Sequence, residues 1–180
     1  MSGRIALVDA HNRFIRWTDR AEIHAHHLPH RSTQVLIFDS AGRLVIQRRH
    51  RDKLTHANYW DISSSGHVEE EDYLGGPDER LDEVYAAVAR REVREELGIE
   101  VELTFLGAFG PAAGIHYEQL HLFTGHHDGP FTAQVEEVEE LRAVTLAELE
   151  VMADDMDELV TPNLVFFARW ARDRGMYGAP

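Results

Sequence analysis

The chain contains no cysteine. That excludes a disulfide framework, a thiolate metal site and a cysteine nucleophile. No apolar run approaches the roughly 18 residues needed to span a bilayer, and the opening M-S-G-R-I-A-L-V-D-A lacks the apolar centre of a signal peptide. The expectation is therefore no membrane partner and a cytoplasmic location. Basic residues are scarce: 18 Lys and Arg stand against 32 Asp and Glu, a net charge of −14. This argues against a nucleic-acid polymer, whose backbone is met by clustered Lys and Arg. A small phosphate ester is still compatible, because divalent cations would offset the repulsion locally. Internal repeats, low-complexity stretches and a linker are also missing, so the 180 residues, 43% of them hydrophobic, read as a single domain over 1–180.

What is present concentrates between Glu83 and Leu97, E-V-Y-A-A-V-A-R-R-E-V-R-E-E-L, followed by Gly98 and Ile99. Val84, Ala87, Val88, Val93 and Leu97 recur at helical period and predict a core-facing side. Glu92, Glu95 and Glu96 stand at i, i+3 and i+4, within about 6 Å of one another on a helix, and are expected on the opposite side. Like charges so placed oppose the helix unless a cation sits among them, and hard ions such as Mg²⁺ or Mn²⁺ prefer carboxylate oxygens. A solvated helix with i,i+4 pairs to Arg90, Arg91 and Arg94 would have the same composition. Gly98 suits the left-handed position after a helix, with a strand to follow.

Around this helix, strands are expected over residues 5–9 and 13–17, a short helix over 19–27, and a hairpin of 33–38 with 44–47 turned by Asp39, Ser40 and Gly42. A brief strand over 59–62 leads into a loop at 63–66. Strands near 101–109, 118–125 and 141–144 come next, then a helix ending at Met152. Thr161 and Pro162 read as N-cap and first-turn proline of a last helix, 164–174. The hairpin within residues 1–30 either completes the domain's own sheet or pairs with a second subunit in a homodimer.

The segment resembles the Nudix box, G-x5-E-x7-R-E-U-x-E-E-x-G-U with U aliphatic. Glu83, Arg91, Glu92, Val93, Glu95, Glu96, Gly98 and Ile99 meet eight of the nine fixed positions. The glycine in family-like context is Gly66 of S-S-S-G-H-V, 25 positions before Arg91, which implies an insertion of about 11 residues over 70–80, expected as an exposed loop. The resemblance implies a single α/β domain, the Nudix-type α/β/α sandwich with a mixed central sheet. It also implies that Glu92, Glu95 and Glu96 bind metal while Arg91 and Glu83 brace loop and helix.

Outside the box, Q-R-R-H-R-D-K, W-D-I-S-S-S-G-H-V, G-P-F with E-E-V-E-E-L, and T-P-N-L-V-F-F-A-R-W resemble the Nudix subgroup related to isopentenyl diphosphate isomerase, over about residues 30–170. This makes Arg48, Arg49 and Lys53, with Gly66, candidates for substrate binding, guanidinium groups being suited to bidentate contact with phosphate; ordinary solvated basics at a strand end would look the same. The isomerase moves protons with a cysteine where this chain has Ser65, and its box is degraded where this one is intact. A serine hydroxyl is too weak an acid to replace that thiol. Both departures point to hydrolysis. The isomerase's metal is held by three histidines and two glutamates; His30, His67 and Glu118 fall at matching positions, His116 stands where the other glutamate would be, and His24 lies one residue from the remaining histidine. A second metal site over His30, His67, His116 and Glu118 is one reading, and surface histidines around 24–30 the other.

The mechanism implied is cleavage of a diphosphate linkage in a nucleoside diphosphate derivative or related small organic diphosphate. Mg²⁺ or Mn²⁺ at Glu92, Glu95 and Glu96 would assist in-line attack of water on phosphorus. The proton acceptor would be Glu92 or a later carboxylate, with Glu118, Glu137 and Glu140 as candidates. An isomerase-like catalyst and a non-catalytic nucleotide-binding module are the alternatives. Tyr59, Trp60, Phe109 and Tyr117 are candidates to stack on a base or to fill the core.

Overall fold

The computed structural model describes residues 3–155 and 157–177. Strands β1 (Arg4–Val8) and β2 (Phe14–Asp19) form the first hairpin, whose turn is held by Asp9 Oδ1 accepting from the His11 and Arg13 amides. Helix α1 (Arg20–His26) precedes β3 (His30–Phe38), which turns through Asp39 into β4 (Leu44–Arg49). Short strands β5 (Trp60–Asp61) and β6 (Ser64–His67) lead to α2 (Leu81–Leu97), followed by β7 (Thr104–Phe109), β8 (Glu118–His126) and β9 (Val138–Val144). Helices α3 (Leu146–Asp154) and α4 (Pro162–Arg172) complete the fold. Thr145 and Thr161 cap them by accepting from the amides of Glu148 and Leu164.

β3 organises a mixed sheet. Along one edge β8 runs parallel, from His30 opposite Glu118 to Phe38 opposite His126. Three antiparallel strands share the other edge: β1 at Leu7–His30, β6 from Ser32–His67 to Val35–Ser64, and β4 only beside the turn at Ile37–Val45 and Phe38–Leu44. β4 then pairs with β9 and β5. Both faces of β3 are buried. Val35 and Ile37 pack with Val84, Tyr85 and Val88 of α2, whereas Leu36 and Phe38 pack with Leu149 of α3 and with Leu164 and Phe167 of α4. This is the expected α/β/α sandwich. Among the described residues no helix is long and apolar enough to cross a membrane.

Several local expectations are corrected. The segment around Ser63–Gly66 is strand β6 rather than a loop, because its backbone groups complete the edge of β3. The 70–80 insertion is only partly an exposed loop. It opens with a 3₁₀ turn (Glu70–Asp72) in which the Glu69 amide donates to Asp72 Oδ2, and it is then gripped by Arg31, which is 0% exposed. Arg31 donates to Tyr73 Oη at 3.1 Å, to Asp78 Oδ1 at 2.6 Å, to the Pro77 carbonyl, and to Asn12 in the β1–β2 turn. A fully buried guanidinium needs such a set of acceptors. The N-terminal hairpin therefore belongs to this domain's own sheet through β1, leaving β2 at the edge.

Candidate active site

The acid face of α2 is not opposite its core face. At about 100° per residue, the buried residues Val84, Val88, Tyr85, Ala89, Val93 and Leu97 sweep an arc of the helix, and Glu92 and Glu96 lie in the middle of it. Ala87, expected in the core, lies outside that arc and is exposed. The two carboxylates are on the buried side because the C-terminal half of α2 passes over β6 instead of over apolar sheet. Gly66 marks the crossing: a Cβ there would stand 2.1 Å from Glu92 Cδ and 2.3 Å from its Oε1, so only glycine lets the glutamate lie across the strand.

Glu96 is 7% exposed, and its Oε2 accepts from the Ser65 amide at 3.1 Å and from Gln47 Nε2 at 3.0 Å. Arg91 donates to Glu92 Oε1 and to Asp72 Oδ1, both at 2.7 Å, and reaches toward the His67 carbonyl at 3.5 Å, so it ties helix, insertion and β6 together. Glu83 does not share that task; at the first turn of the helix it pairs with Arg80 on the surface. Burial, and then the neighbouring Glu96, push the Glu92 carboxyl up to about 7 despite Arg91. Burial also raises Glu96, against the pull of its hydrogen-bond donors. Glu95 is exposed at the mouth. A buried carboxylate and a half-buried one held together at this cost form a donor set that fits a hard divalent cation.

These residues line a cleft of about 520 Å³, together with Arg49, Lys53, Gly66, His24, His67, His116, Glu118 and Glu137. Arg49 is set by buried Asp61, whose Oδ2 accepts from Nη1 at 3.2 Å and whose Oδ1 accepts from Thr161 Oγ1 at 2.8 Å. Lys53 pairs with Glu137, and burial followed by Arg49 holds its ammonium below the usual range. Arg48 and Glu140 are not in the cleft. They stand directly opposite one another on β4 and β9 and pair at 3.1 Å; Arg49 turns to the cleft and Gln47 to Glu96, whereas Arg48 points away.

The histidines do gather. One ligand atom each from His30, His67 and Glu118 lies within 4.8 Å of the others. His30 Nδ1 is bonded to the Leu28 carbonyl at 2.8 Å, and its buried Nε2, 3.9 Å from Glu118 Oε1, has no hydrogen-bond partner in the protein. His116 Nδ1 lies 3.5 Å from the other Glu118 oxygen, and the His24 ring is 5.1 Å from that of His67. Only His26 and His27 fit the surface reading. Burial lowers His24 and His30, and His67 well below the ordinary imidazole range, which favours the neutral form that a metal ligand needs. Burial pushes Glu118 up, but His116 and His30 outweigh it and leave the carboxylate ionised.

Of the four aromatic candidates only Tyr117 reaches the cleft, stacked on His27 at 4.5 Å. Trp60 is buried under Arg142, Phe109 packs on Phe167 and Trp170, and Tyr59 leans on His56. Sequence reasoning missed Gln47, Asp61 and Asp72. Gln47 was readable from its two-residue offset to Arg49; the other two depend on contacts made far along the chain.

The model of the NUDIX domain family matches residues 28–164. Isopentenyl-diphosphate Delta-isomerase 2 of Aromatoleum aromaticum is 30% identical over 84% of this chain and 77% of its own length. An uncharacterized Nudix hydrolase of Pseudomonas aeruginosa is 35% identical over 78% of this chain and 77% of its own. Among solved structures, DR0079 of Deinococcus radiodurans superposes with a TM-score of 0.74 at 21% identity, covering 92% of this chain and 97% of that one, and the MutT protein of Methanosarcina mazei with 0.59 at 25%, covering 81% and 95%. With the box carboxylates folded around one cleft and the family matched over most of its length, this chain belongs to the Nudix family and is a Nudix-type hydrolase.

Proposed function

We infer that the protein hydrolyses the diphosphate linkage of a small organic diphosphate, with Mg²⁺ or Mn²⁺ held by Glu92, Glu95 and Glu96. The observation that carries this reading is buried Glu96 beside largely buried Glu92, a destabilising arrangement that a cation would relieve. When bound, divalent ions neutralise diphosphate charge and make water a better nucleophile. Arg49, fixed by Asp61, offers a guanidinium to phosphate oxygens from the other side of the cleft, and Lys53 adds a second cation. Glu137, which lines the cleft and pairs with Lys53, is the candidate proton acceptor. Glu140 is not proposed, being engaged by Arg48 and Arg142 outside the cleft.

His30, His67 and Glu118, with His116 and His24 beside them, are proposed as a second metal site. Imidazole ligands there favour Zn²⁺ or Mn²⁺ over Mg²⁺. Hydrolysis is favoured over isomerisation because Ser65 contributes its amide to Glu96 and no thiol is present. The test is cleavage of a panel of nucleoside diphosphates, sugar nucleotides and isopentenyl diphosphate with and without Mg²⁺ or Mn²⁺. Metal-dependent release that falls at least about 10²-fold in Glu95→Gln is expected. Parental rates in that variant on every substrate would refute the assignment, and isomer formation without hydrolysis would move the chemistry to His67 and Glu118.

A further inference from the structure

Arg91 holds Glu92, but Arg91 is not itself held by the residue that the box spacing names. Counted back from Arg91, the acid of G-x5-E-x7-R falls on Glu83; counted forward from Gly66, it falls on Asp72. The two counts differ by the length of the insertion, so the sequence leaves the choice open and side-chain contacts decide it. Glu83 pairs with Arg80, its side chain 57% exposed, at a point roughly 13 Å along the helix from Glu92. Asp72 is 13% exposed and accepts from Arg91 Nη1 at 2.7 Å, while Nη2 of the same guanidinium donates to Glu92 Oε1 at 2.7 Å.

Both oxygens of Asp72 are occupied. Oδ2 accepts from the Glu69 amide at 2.9 Å, closing the 3₁₀ turn, and Oδ1 faces Arg91. The turn is itself seated on the first strand: Glu69 bridges to Ile5, and Glu70 accepts from Arg4 Nε at 2.6 Å. Direct contacts therefore run from β1 through the turn and Arg91 to Glu92. Among the described residues Arg91 is the only side chain from which Glu92 accepts a hydrogen bond. A guanidinium is a rigid planar fork, so anchoring one terminal nitrogen fixes where the other points. Without an acid at position 72, Arg91 is free to swing to Glu95, four residues on along the same helix, and Glu92 loses its orientation.

We propose that Asp72 is a positioning residue of this site: acting through Arg91, it holds Glu92 in the orientation that binds the cation, a task the spacing of the helix segment would give to Glu83. The proposal rests on the reading that Glu92 ligates a metal, and it adds the residue outside the ligand set that aims it. The inserted residues then follow Asp72, and the brace survives the insertion because the turn that carries it is fixed to β1 and not to the helix. Partners that orient a metal ligand typically account for 10- to 100-fold in affinity.

The experiment measures Mn²⁺ affinity of the intact protein by paramagnetic titration in Asp72→Asn, Glu83→Gln, Arg91→Met and the double variant Asp72→Asn/Arg91→Met. Asparagine still accepts from the Glu69 amide through its oxygen but turns an NH₂ toward Arg91, so the turn is kept and the ion pair is lost. Asp72→Ser, whose hydroxyl caps the same amide, takes its place if thermal melting shows that the asparagine variant does not fold. Asp72→Asn is expected to raise Kd about tenfold, and Glu83→Gln less than about twofold. In the Arg91→Met background Asp72→Asn should add less than about twofold, because its effect passes through Arg91. Unchanged affinity in Asp72→Asn, an equal loss in Glu83→Gln, or the full loss added on top of Arg91→Met would overturn the proposal. A parent that binds no Mn²⁺, or a Glu92→Gln variant that binds it equally well, would count against the metal reading instead. The ¹³C signal of the Glu92 carboxyl in the metal-free protein, assigned by its loss in Glu92→Gln, then decides the proposal separately: a displacement larger in Asp72→Asn than in Glu83→Gln supports the brace, and any other result overturns it.

Discussion

Glu92→Gln should change the pH dependence of stability in a way that isolates the buried carboxylate pair. The Glu92 side chain is 16% exposed and its carboxyl is raised from 4.5 to about 7, by burial first and Glu96 second. A folded-state value above the unfolded one means that the native protein holds an extra proton between roughly pH 4.5 and 7. The stability this contributes is complete below the unfolded value and is lost as pH rises through 7. The shift corresponds to about 3 kcal/mol at 1.36 kcal/mol per pH unit. His24, His30 and His67 work in the opposite direction, because their lowered values favour the native state as pH rises, so the wild-type profile alone is not diagnostic. The difference between variant and parent cancels them. In urea denaturation with a chelator present, Glu92→Gln should gain about 2–3 kcal/mol relative to the parent between pH 4.5 and pH 8. Saturating Mg²⁺ should then erase most of that difference, adding about 3 kcal/mol to the parent at a hundredfold excess over Kd and much less to the variant. A variant-minus-parent difference that stays flat with pH would mean that Glu92 is ionised in the metal-free protein, and the argument from buried like charge would fail.

Two further substitutions probe the frame. Gly66→Ala places a methyl 2.1 Å from Glu92 Cδ; it should cost about 1–3 kcal/mol by overpacking and weaken Mn²⁺ binding, read by titration with paramagnetic detection, and unchanged affinity would show that Glu92 is free to lie elsewhere. Arg31→Met removes the buried cation that joins Asn12, Tyr73 and Asp78. About 3 kcal/mol of destabilisation is expected, with hydrogen exchange accelerated first in β1, β2 and residues 73–80; uniform acceleration across the domain would refute the clamp.

Local pattern was enough for much of this protein. The spacing of Arg91, Glu92, Glu95, Glu96 and Gly98, the turn at Asp39, and Thr161 before Pro162 each act within a few residues, where helix and turn geometry follow from the chain itself. Gly98 does adopt the left-handed conformation, at φ 66°. The box helix and the α/β order were therefore legible without coordinates. Tertiary structure decided what those residues face. Glu92 and Glu96 proved to lie on the buried side of α2, because what packs there is a strand containing Gly66 and not apolar sheet. Arg48 and Arg49 parted because alternation sends neighbours to opposite faces, and only the pairing of β4 with β9 and β5 says which face is the cleft. His30, His67 and Glu118, distant in sequence, meet because β3 pairs with both β6 and β8 in one register. Contacts of that kind depend on long-range pairing, whose register is set by the burial of whole strands and not by any single segment.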